Sequence, residues 1–341
     1  MATLRQIAQK CGVSASTVSK ALNGYSDISW ETISLVKKTA EEMGYFPNAA
    51  ARSLKTNKTN NLGVLFIDDM QSGLAHEYFS ALLESFKAKA EVLGYDITFI
   101  SRNLGNRRMS YLEHCRYRKC DGVVIACVDF EDSQVRELIN SDIPVVTIDH
   151  VFNGRTAILS DNVKGMTDLV SYIAGQGHTK IAFIHGEDTA VTRKRLAGFH
   201  KVLGEKRIGI PKEYLIAARY HDPASSRKAT QALLKLRDPP SCIIYPDDFS
   251  FIGGMNEIDA QGMKIPGDIS VAGYDGQTMC QTIRPHLTTL RQDSRGLGIA
   301  AAESLVKSIE NPVTDTPHII TIPGELLPGD TVKILQKANY T

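Results

Sequence analysis

The sequence predicts an α/β fold: an all-α helix-turn-helix head followed by a two-lobed core with parallel sheets. Three observations predict it. Residues 3–45 carry helical periodicity, with a capping or glycine residue at each break. From residue 62 to residue 275, short apolar runs alternate with helical patterns, which is the rhythm of strand–helix–strand units. Charge divides in the same way. Residues 1–60 hold eight Lys or Arg against four Asp or Glu, a balance of +4. The remainder holds 31 against 34, a balance of −3, so the net +1 of the 341-residue chain hides a basic head on a mildly acidic body.

In the head, Thr3 and Gln6 have the spacing of a capping box, and Leu4, Ile7 and Ala8 follow as an apolar face. Gly12 breaks that helix. Ser14 to Thr17 starts a second one, with Val18 and Leu22 inward, and Asn23-Gly24 ends it. Ser29 caps a third, with Ile33, Val36 and Ala40 inward and Gly44 at its end. Two helices joined by a glycine turn within about 20 residues form a helix-turn-helix, whose second helix enters the major groove. Its expected exposed positions are Ala15, Ser16, Thr17, Ser19 and Lys20, and Lys20 suits guanine edges or phosphate. Helix N-termini such as that at Ser14 also bind phosphate.

Pro47 to Lys55 is helix-capable for about two turns, which is marginal in water. Thr56 to Asn61 is polar and reads as a linker. Two readings of the segment stand side by side. It folds on DNA, and Leu54, flanked by Arg52 and Lys55, wedges between base steps in the minor groove; or it is a flexible tether whose Leu54 packs on the body.

The core's strand candidates are Leu62–Asp68, Asp96–Ser101, Asp121–Val128, Ile143–Asp149, Lys180–Gly186, Tyr214–Arg219, Ser241–Asp247 and Ile269–Asp275. Helices are expected between them, for example at Tyr78–Leu93, Lys164–Gln176, Arg195–Leu203 and Phe249–Gln261. The strands are too apolar to face water, and sheets of this kind bind ligands beyond their carboxyl ends. Asp68, Asp149, Asp247 and Asp275 stand at such ends. So much alternation exceeds one sheet, hence the two lobes.

Several function classes are disfavoured. No run of about 18 apolar residues exists to span a membrane. The first ten residues carry Arg5 and Lys10 and no apolar run of leader length, which points to the cytoplasm. Cys11, Cys115, Cys120, Cys127, Cys242 and Cys280 form no CxxC pair, so reduced thiols and no zinc site are expected. Gly296 to Ala301 matches a dinucleotide fingerprint loosely but does not follow a strand, and reads as a helix opening. Asp247-Asp248 reads as adjacent strand residues on opposite faces, unsuited to joint action. No catalytic constellation, metal site or cofactor is expected.

Motif strings then carry a resemblance. Thr3 to Ala8, Gly12-Val13-Ser14, Thr17-Val18-Ser19, Asn23-Gly24 and Gly44 to Leu54 resemble the opening of lactose/galactose-repressor family regulators. Gly177-His178, Arg195 to Phe199, Ile265 to Asp275 and Leu287 to Leu290 continue it in the family's order, so it spans nearly the whole chain.

The resemblance implies base reading by Ala15, Ser16 and Lys20, a hinge leucine at Leu54 that pries open a central base step, and a homodimer on a near-palindromic operator. Thr3, Ser14, Thr17, Asn23, Arg52 and Lys55 complete the expected DNA-facing set. It also implies a core like periplasmic sugar-binding proteins, with three crossings between the lobes and a small molecule between them. The domains are then residues 1–46 (head), 47–60 (hinge and linker) and 61–341 (core). The first lobe takes about 61–160 plus 292–322, and the second about 161–291 plus 323–341.

Carried over, the effector residues are Tyr78, Phe79, Asp149, Arg195, His221, Asp247 and Asp275. Arg and Asp suit polyols through forked hydrogen bonds, and aromatic rings cover apolar faces. Simpler roles exist for several: Asp275 as a turn cap, Arg195 as an interlobe ion pair, Phe79 as core, His221 as an exposed loop residue. This chain departs from the family at Asp247, often Asn there, at His221, often aromatic, and at His150 after Asp149. The expectation is a ligand-responsive repressor of the cytoplasm that is not an enzyme, with a sugar effector favoured over a nucleobase. The alternative is a solute-binding or sugar-modifying protein whose head serves another purpose. No sustained heptads follow Gly324, so a dimer without a terminal coiled coil is expected.

Overall fold

Each helix of the head begins and ends on a residue whose side chain or φ angle serves the backbone there. The computed structural model describes residues 2–45, 58–67 and 76–335, and the chain separates into two units, Met1–Thr59 and Asn60–Thr341. In the first unit, helix α1 (Leu4–Cys11) has a full capping box: Gln6 N donates to Thr3 Oγ1 at 3.3 Å, and Thr3 N donates to Gln6 Oε1 at 2.9 Å. Gly12 stops it at φ +69°, where a side chain carries a steric cost. Helix α2 (Ala15–Leu22) starts at Ser14, whose hydroxyl accepts from Thr17 N at 3.0 Å, and α3 (Trp30–Glu42) starts at Ser29 in the same way.

Ile7, Ala8, Val18, Ala21, Val36 and Ala40 fill the head's core. Leu22, expected inside, is half-buried, and Ala21 takes its place. The reason is that α2 packs on both α1 and α3, and a methyl side chain lets both approach. Ile33 is likewise half-buried. Arg52, Leu54 and Lys55 of the expected hinge, and Asp68, lie outside the described residues.

The second unit opens with β1 (Asn61–Phe66), α4 (Glu77–Val92), β2 (Asp96–Phe99) and a hairpin of β3 (Asn103–Leu104) and β4 (Arg107–Arg108). Then come α5 (Tyr111–Tyr117), β5 (Gly122–Ala126), α6 (Ser133–Ile139), β6 (Val145–Ile148) and β7 (Thr156–Ser160). The chain crosses to α7 (Asn162–Gly175), β8 (Ile181–His185), α8 (Ala190–Glu205), β9 (Leu215–Ala217), α9 (Pro223–Leu234), β10 (Cys242–Ile244), α10 (Asp248–Ala260), β11 (Ser270–Asp275), α11 (Thr278–Thr282) and β12 (Thr288–Arg291). It returns through α12 (Ser294–Glu310) to β13 (Ile319–Ile322) and crosses again to β14 (Glu325–Leu327).

Two six-stranded sheets result among the described residues. The first has the order β13-β7-β6-β5-β1-β2 and is parallel throughout; the second has the order β14-β12-β11-β10-β8-β9, with only β14 antiparallel to its neighbour. The chain passes between them after β7, after β12 and after β13. Strands β7, β12, β13 and β14 were not among the sequence candidates. β13 lies at a sheet edge and alternates exposed and half-buried residues. β12 hides Thr288 and Thr289, which read as polar in sequence.

Close helix packing explains the glycine string at 296–301. A Cβ at Gly298 would sit 2.2 Å from the Leu82 carbonyl oxygen, so this glycine lets α12 lie against α4. Gly296 adjoins Asp293, the N-cap of α12. Asp247-Asp248 also differs from expectation. Strand β10 stops at Ile244, and the pair begins a helix: Asp247 caps α10 and Asp248 is its first residue. Both are buried. Among the described residues, no helix is long and apolar enough to cross a membrane, and no group of three His, Cys, Asp or Glu side chains is gathered as metal ligands. All six cysteines are free thiols.

Candidate functional site

Helix α2 presents Ser14, Ala15 and Ser16 to solvent at its amino end, where the first turn's N–H groups point outward. Thr17, Ser19 and Lys20, expected exposed, are half-buried, because α2 is packed on two sides. Thr3 and Asn23 are exposed, and Asn23 Nδ2 donates to Ser19 O at 2.6 Å. The sequence reading missed the partner of Lys20, which is ion-paired with Asp27. That hydrogen bond holds the Asp27 carboxyl below the usual carboxylate range. Lys20 therefore meets a competing acid on its own domain.

In the second unit, the carboxyl ends of both sheets supply the other cluster. Arg195 projects from α8 and is 3% exposed. Its Nε donates to Asn162 Oδ1 and its Nη1 to Pro246 O, both at 2.8 Å. Its Cζ lies 3.6 Å from the centre of the Tyr274 ring and 5.5 Å from that of Tyr220. Asp275, the last residue of β11, stands 3.9 Å from Nη2 and accepts from Gln292 Nε2 at 2.7 Å. Asp149, just beyond β6, accepts from Tyr78 Oη at 3.1 Å and from Ser160 N at 2.8 Å.

Burial dominates the electrostatics. It pushes the Asp275 carboxyl up to about 7, against the pull of Arg195. It raises Asp149 too, and raises Asp248 further, with Asp275 adding repulsion. Tyr78 is lifted well above the ordinary phenol value by burial and by Asp149. Burial opposes the charge of Arg195, but Tyr220, Tyr274, Asp275 and Asp149 outweigh it and hold the guanidinium protonated. A carboxyl group that titrates near neutrality can donate as well as accept a hydrogen bond.

Three of the seven non-glycine residues with positive φ among those described are Asp149 at +59°, His221 at +55° and Asp275 at +104°. Strained backbone of this kind collects where side chains are held for function.

His221 is sandwiched between two rings. His76, the N-cap residue of α4 in the first lobe, stacks on it with centroids 4.0 Å apart, and Phe249 of the second lobe stacks at 4.1 Å. A second bridge between the lobes runs from Glu77 to Thr278, whose N and Oγ1 donate to the carboxylate at 3.1 and 2.5 Å. A cavity of about 650 Å³ opens beside it, lined in part by Tyr78, Asp275, Gln277 and Gln292.

Thus the fold brings together Tyr78, Asp149, Arg195 and Asp275, and places His221 at the lobe boundary. Phe79 is half-buried against the first lobe's core, edge-on to Phe66, His76 and Tyr78. Both oxygens of Asp247 are taken by the protein: Oδ1 accepts from Ser250 N at 2.7 Å, and Oδ2 from His221 N and Ser250 Oγ, each at 2.8 Å. It positions His221 instead of facing open space. Sequence reading missed Asn162, Tyr220, Tyr274, Gln277 and Gln292. Tyr274 Oη, Gln277 Nε2 and Gln292 Oε1 are buried without a protein hydrogen-bond partner, and no single-sequence pattern marks such atoms.

Comparison with known proteins agrees with this architecture. Residues 3–48 match the family described as bacterial regulatory proteins, lacI family, and residues 170–332 match a periplasmic binding protein-like domain. The chain is 30% identical over 325 residues to the "Probable HTH-type transcriptional repressor ExuR" of Bacillus subtilis (strain 168), covering 94% of this chain and 95% of that one. It is 29% identical over 341 residues to the HTH-type transcriptional repressor PurR of Vibrio vulnificus (strain CMCP6), covering 98% and 99%. Among solved structures, the lac repressor dimer bound to operator and the anti-inducer ONPF superposes with a TM-score of 0.79 at 24% identity, covering 97% of this chain and 99% of that one. The complex of the transcriptional regulator CelR with cellobiose gives 0.72 at 21%, covering 97% and 100%. A DNA-binding head, two parallel-sheet lobes and this breadth of likeness lead to one conclusion: the chain belongs to the lacI family of bacterial regulatory proteins.

Proposed function

We propose that the protein is a cytoplasmic transcriptional repressor that binds a near-palindromic operator as a homodimer and answers to a small polyhydroxylated effector held between its lobes. The observation that carries this reading is the pairing, in one chain, of an exposed α2 amino end with a cluster of buried Arg195 and half-buried Asp275 and Asp149 at the carboxyl ends of two sheets. On the DNA side, Ala15, Ser16 and Lys20 meet base edges, with Thr3, Ser14, Thr17 and Asn23 around them. Arg52, Leu54 and Lys55 act at the hinge between residues 47 and 60. On the effector side, Arg195 donates and Asp149 and Asp275 accept, Tyr78, Phe79 and His221 cover the ligand's faces, and Asp247 holds His221 in place. The lobes divide as residues 61–160 with 292–322 and residues 161–291 with 323–341.

Ligand at the lobe boundary changes the population of lobe arrangements, and with it the fraction of dimers whose two heads fit one operator. The likeness to the lac repressor dimer supports pairing with a second copy. The cleft binds and does not catalyse. A sugar suits the Arg/Asp chemistry better than a nucleobase, although the rings at His221 keep the nucleobase as second reading.

The test is selection of the full-length protein against a random duplex pool, followed by thermal-shift screening with sugars, sugar phosphates and purines. Dyad-symmetric duplexes should be enriched and bound with strong salt dependence. One ligand class should raise Tm and change duplex affinity by about 5–150-fold. An unenriched pool, or a stabilising ligand with no effect on duplex affinity, overturns the reading.

A further inference from the structure

We propose that Cys115 and Cys120 form a redox-active dithiol, which a hydroperoxide converts into an intramolecular disulfide. The local fold builds the pair. Helix α5 ends in a Schellman turn, with Cys120 N donating to Cys115 O at 2.9 Å and Lys119 N to Arg116 O at 3.1 Å, and with Lys119 at φ +51°. In that motif the third-from-last residue of the helix and the second residue beyond its C-cap touch. Here both are cysteines, so the turn itself sets their side chains next to each other. This geometry requires no strand or domain movement for the sulfurs to meet.

The two sulfurs have different surroundings. Cys115 is fully buried, whereas Cys120 is half-buried and reachable from solvent. Asn61 Nδ2 points to the Cys120 sulfur at 3.7 Å. The neighbouring Cys115 thiol holds the Cys120 thiol below its ordinary range, helped by the Arg118 charge and opposed by burial and Asp121; Cys115 is pushed the opposite way. A thiolate is the nucleophile, so Cys120 attacks first. Its electron pair bonds to one peroxide oxygen, the O–O bond breaks, and the departing hydroxide takes up a proton to leave as water. Cys120 is then a sulfenic acid. Cys115 sulfur attacks the Cys120 sulfur, loses its proton and expels the hydroxyl as a second water. Two thiols have lost two electrons and two protons, and one peroxide has become two waters. The remaining buried thiols differ: burial alone suffices to raise Cys242 far above its ordinary value, and it pushes Cys280 up to about 12.

The experiment uses the reduced full-length protein, hydrogen peroxide as the probe, and non-reducing peptide mass spectrometry. Trypsin cuts at Arg116, Arg118 and Lys119, so a disulfide joins peptide 109–116 to the peptide beginning at Cys120. Fragment ions separate Cys120 from Cys127 in that second peptide. The joined species should lose two hydrogens, revert with dithiothreitol, and form at least about ten-fold faster than Cys242 or Cys280 is oxidised. Cys115→Ser should stop at a Cys120 sulfenic acid that a 1,3-dione traps. Cys120→Ser should leave Cys115 unreactive. Equal oxidation of all six cysteines in the wild-type protein, or a link through Cys127, overturns the proposal. The wild-type rates decide the matter even if a variant fails to fold.

Discussion

The head and the cleft hold their polar groups in opposite ways. In the head, Ser14 to Lys20 lie within one short helix whose first turn is exposed, and the lone ion pair of Lys20 reaches only to Asp27. In the core, Tyr78, Asp149, Arg195 and Asp275 come from α4, the end of β6, α8 and β11; Tyr78 and Arg195 are buried, and the two aspartates are half-buried. Water solvates the head's groups and leaves them nearly independent. The cleft's groups have exchanged water for one another, so their charges are shared and their substitutions cannot be read singly.

The strongest way to break that contrast is Arg195→Ala. It strands Asp149 and Asp275 in a buried site, and should destabilise the core by about 3–5 kcal/mol in urea unfolding. The double variant with Asp275→Asn should lose less than the two single losses added together. Strict additivity would mean that the cleft behaves like the head.

A second measurement concerns pH. The Asp275 carboxyl titrates near 7 in the folded protein and near 3.8 otherwise, so folding takes up a proton between those values. Its contribution is present in full below about pH 4 and is lost as pH rises through 7, the reverse of a salt-bridged surface aspartate. Tm should therefore fall over that window more steeply in wild type than in Asp275→Asn, by about one proton's worth of slope. Parallel profiles would remove Asp275 from the titrating set.

Smaller effects belong to the head. Ser14→Ala removes the α2 cap and should cost the head about 1 kcal/mol, with the core transition unmoved. Calorimetry that resolves both transitions checks it, and a shift in the core would show the two units unfolding together. Smallest in stability is Asp27→Ala, which releases Lys20 and should leave the head's Tm nearly unchanged. Duplex affinity should nevertheless rise, because a competing carboxylate is gone. Unchanged affinity would mean that Lys20 does not reach the DNA.

Legibility followed the range of the interactions involved. The capping box at Thr3 and Gln6, the stop at Gly12 and the start at Ser14 are contacts within four residues, and the sequence displayed them all. The parallel strands β1, β5, β6, β8 and β11 were visible because strands covered on both faces must be continuously apolar. Asp247-Asp248 was misread as strand, since a helix start and a strand end share the same preference for an acid. Leu22 and Ala21 exchanged places because a helix packed on two sides obeys its neighbours as well as its period. Asn162, Gln277 and Gln292 were invisible because nothing in their own sequence neighbourhood distinguishes a buried amide from a surface one.

The order of residues alone therefore determined where helices start and stop, which stretches must be buried strands, and that a basic head precedes an acidic core. Those properties depend on hydrogen bonds and hydrophobic periodicity along the chain. Only the tertiary structure decided which acids stand beside Arg195, that His221 lies between His76 and Phe249, and that Asp275 holds its proton to about 7. Distance through space and exclusion of water set those properties, and neither is a property of sequence neighbours.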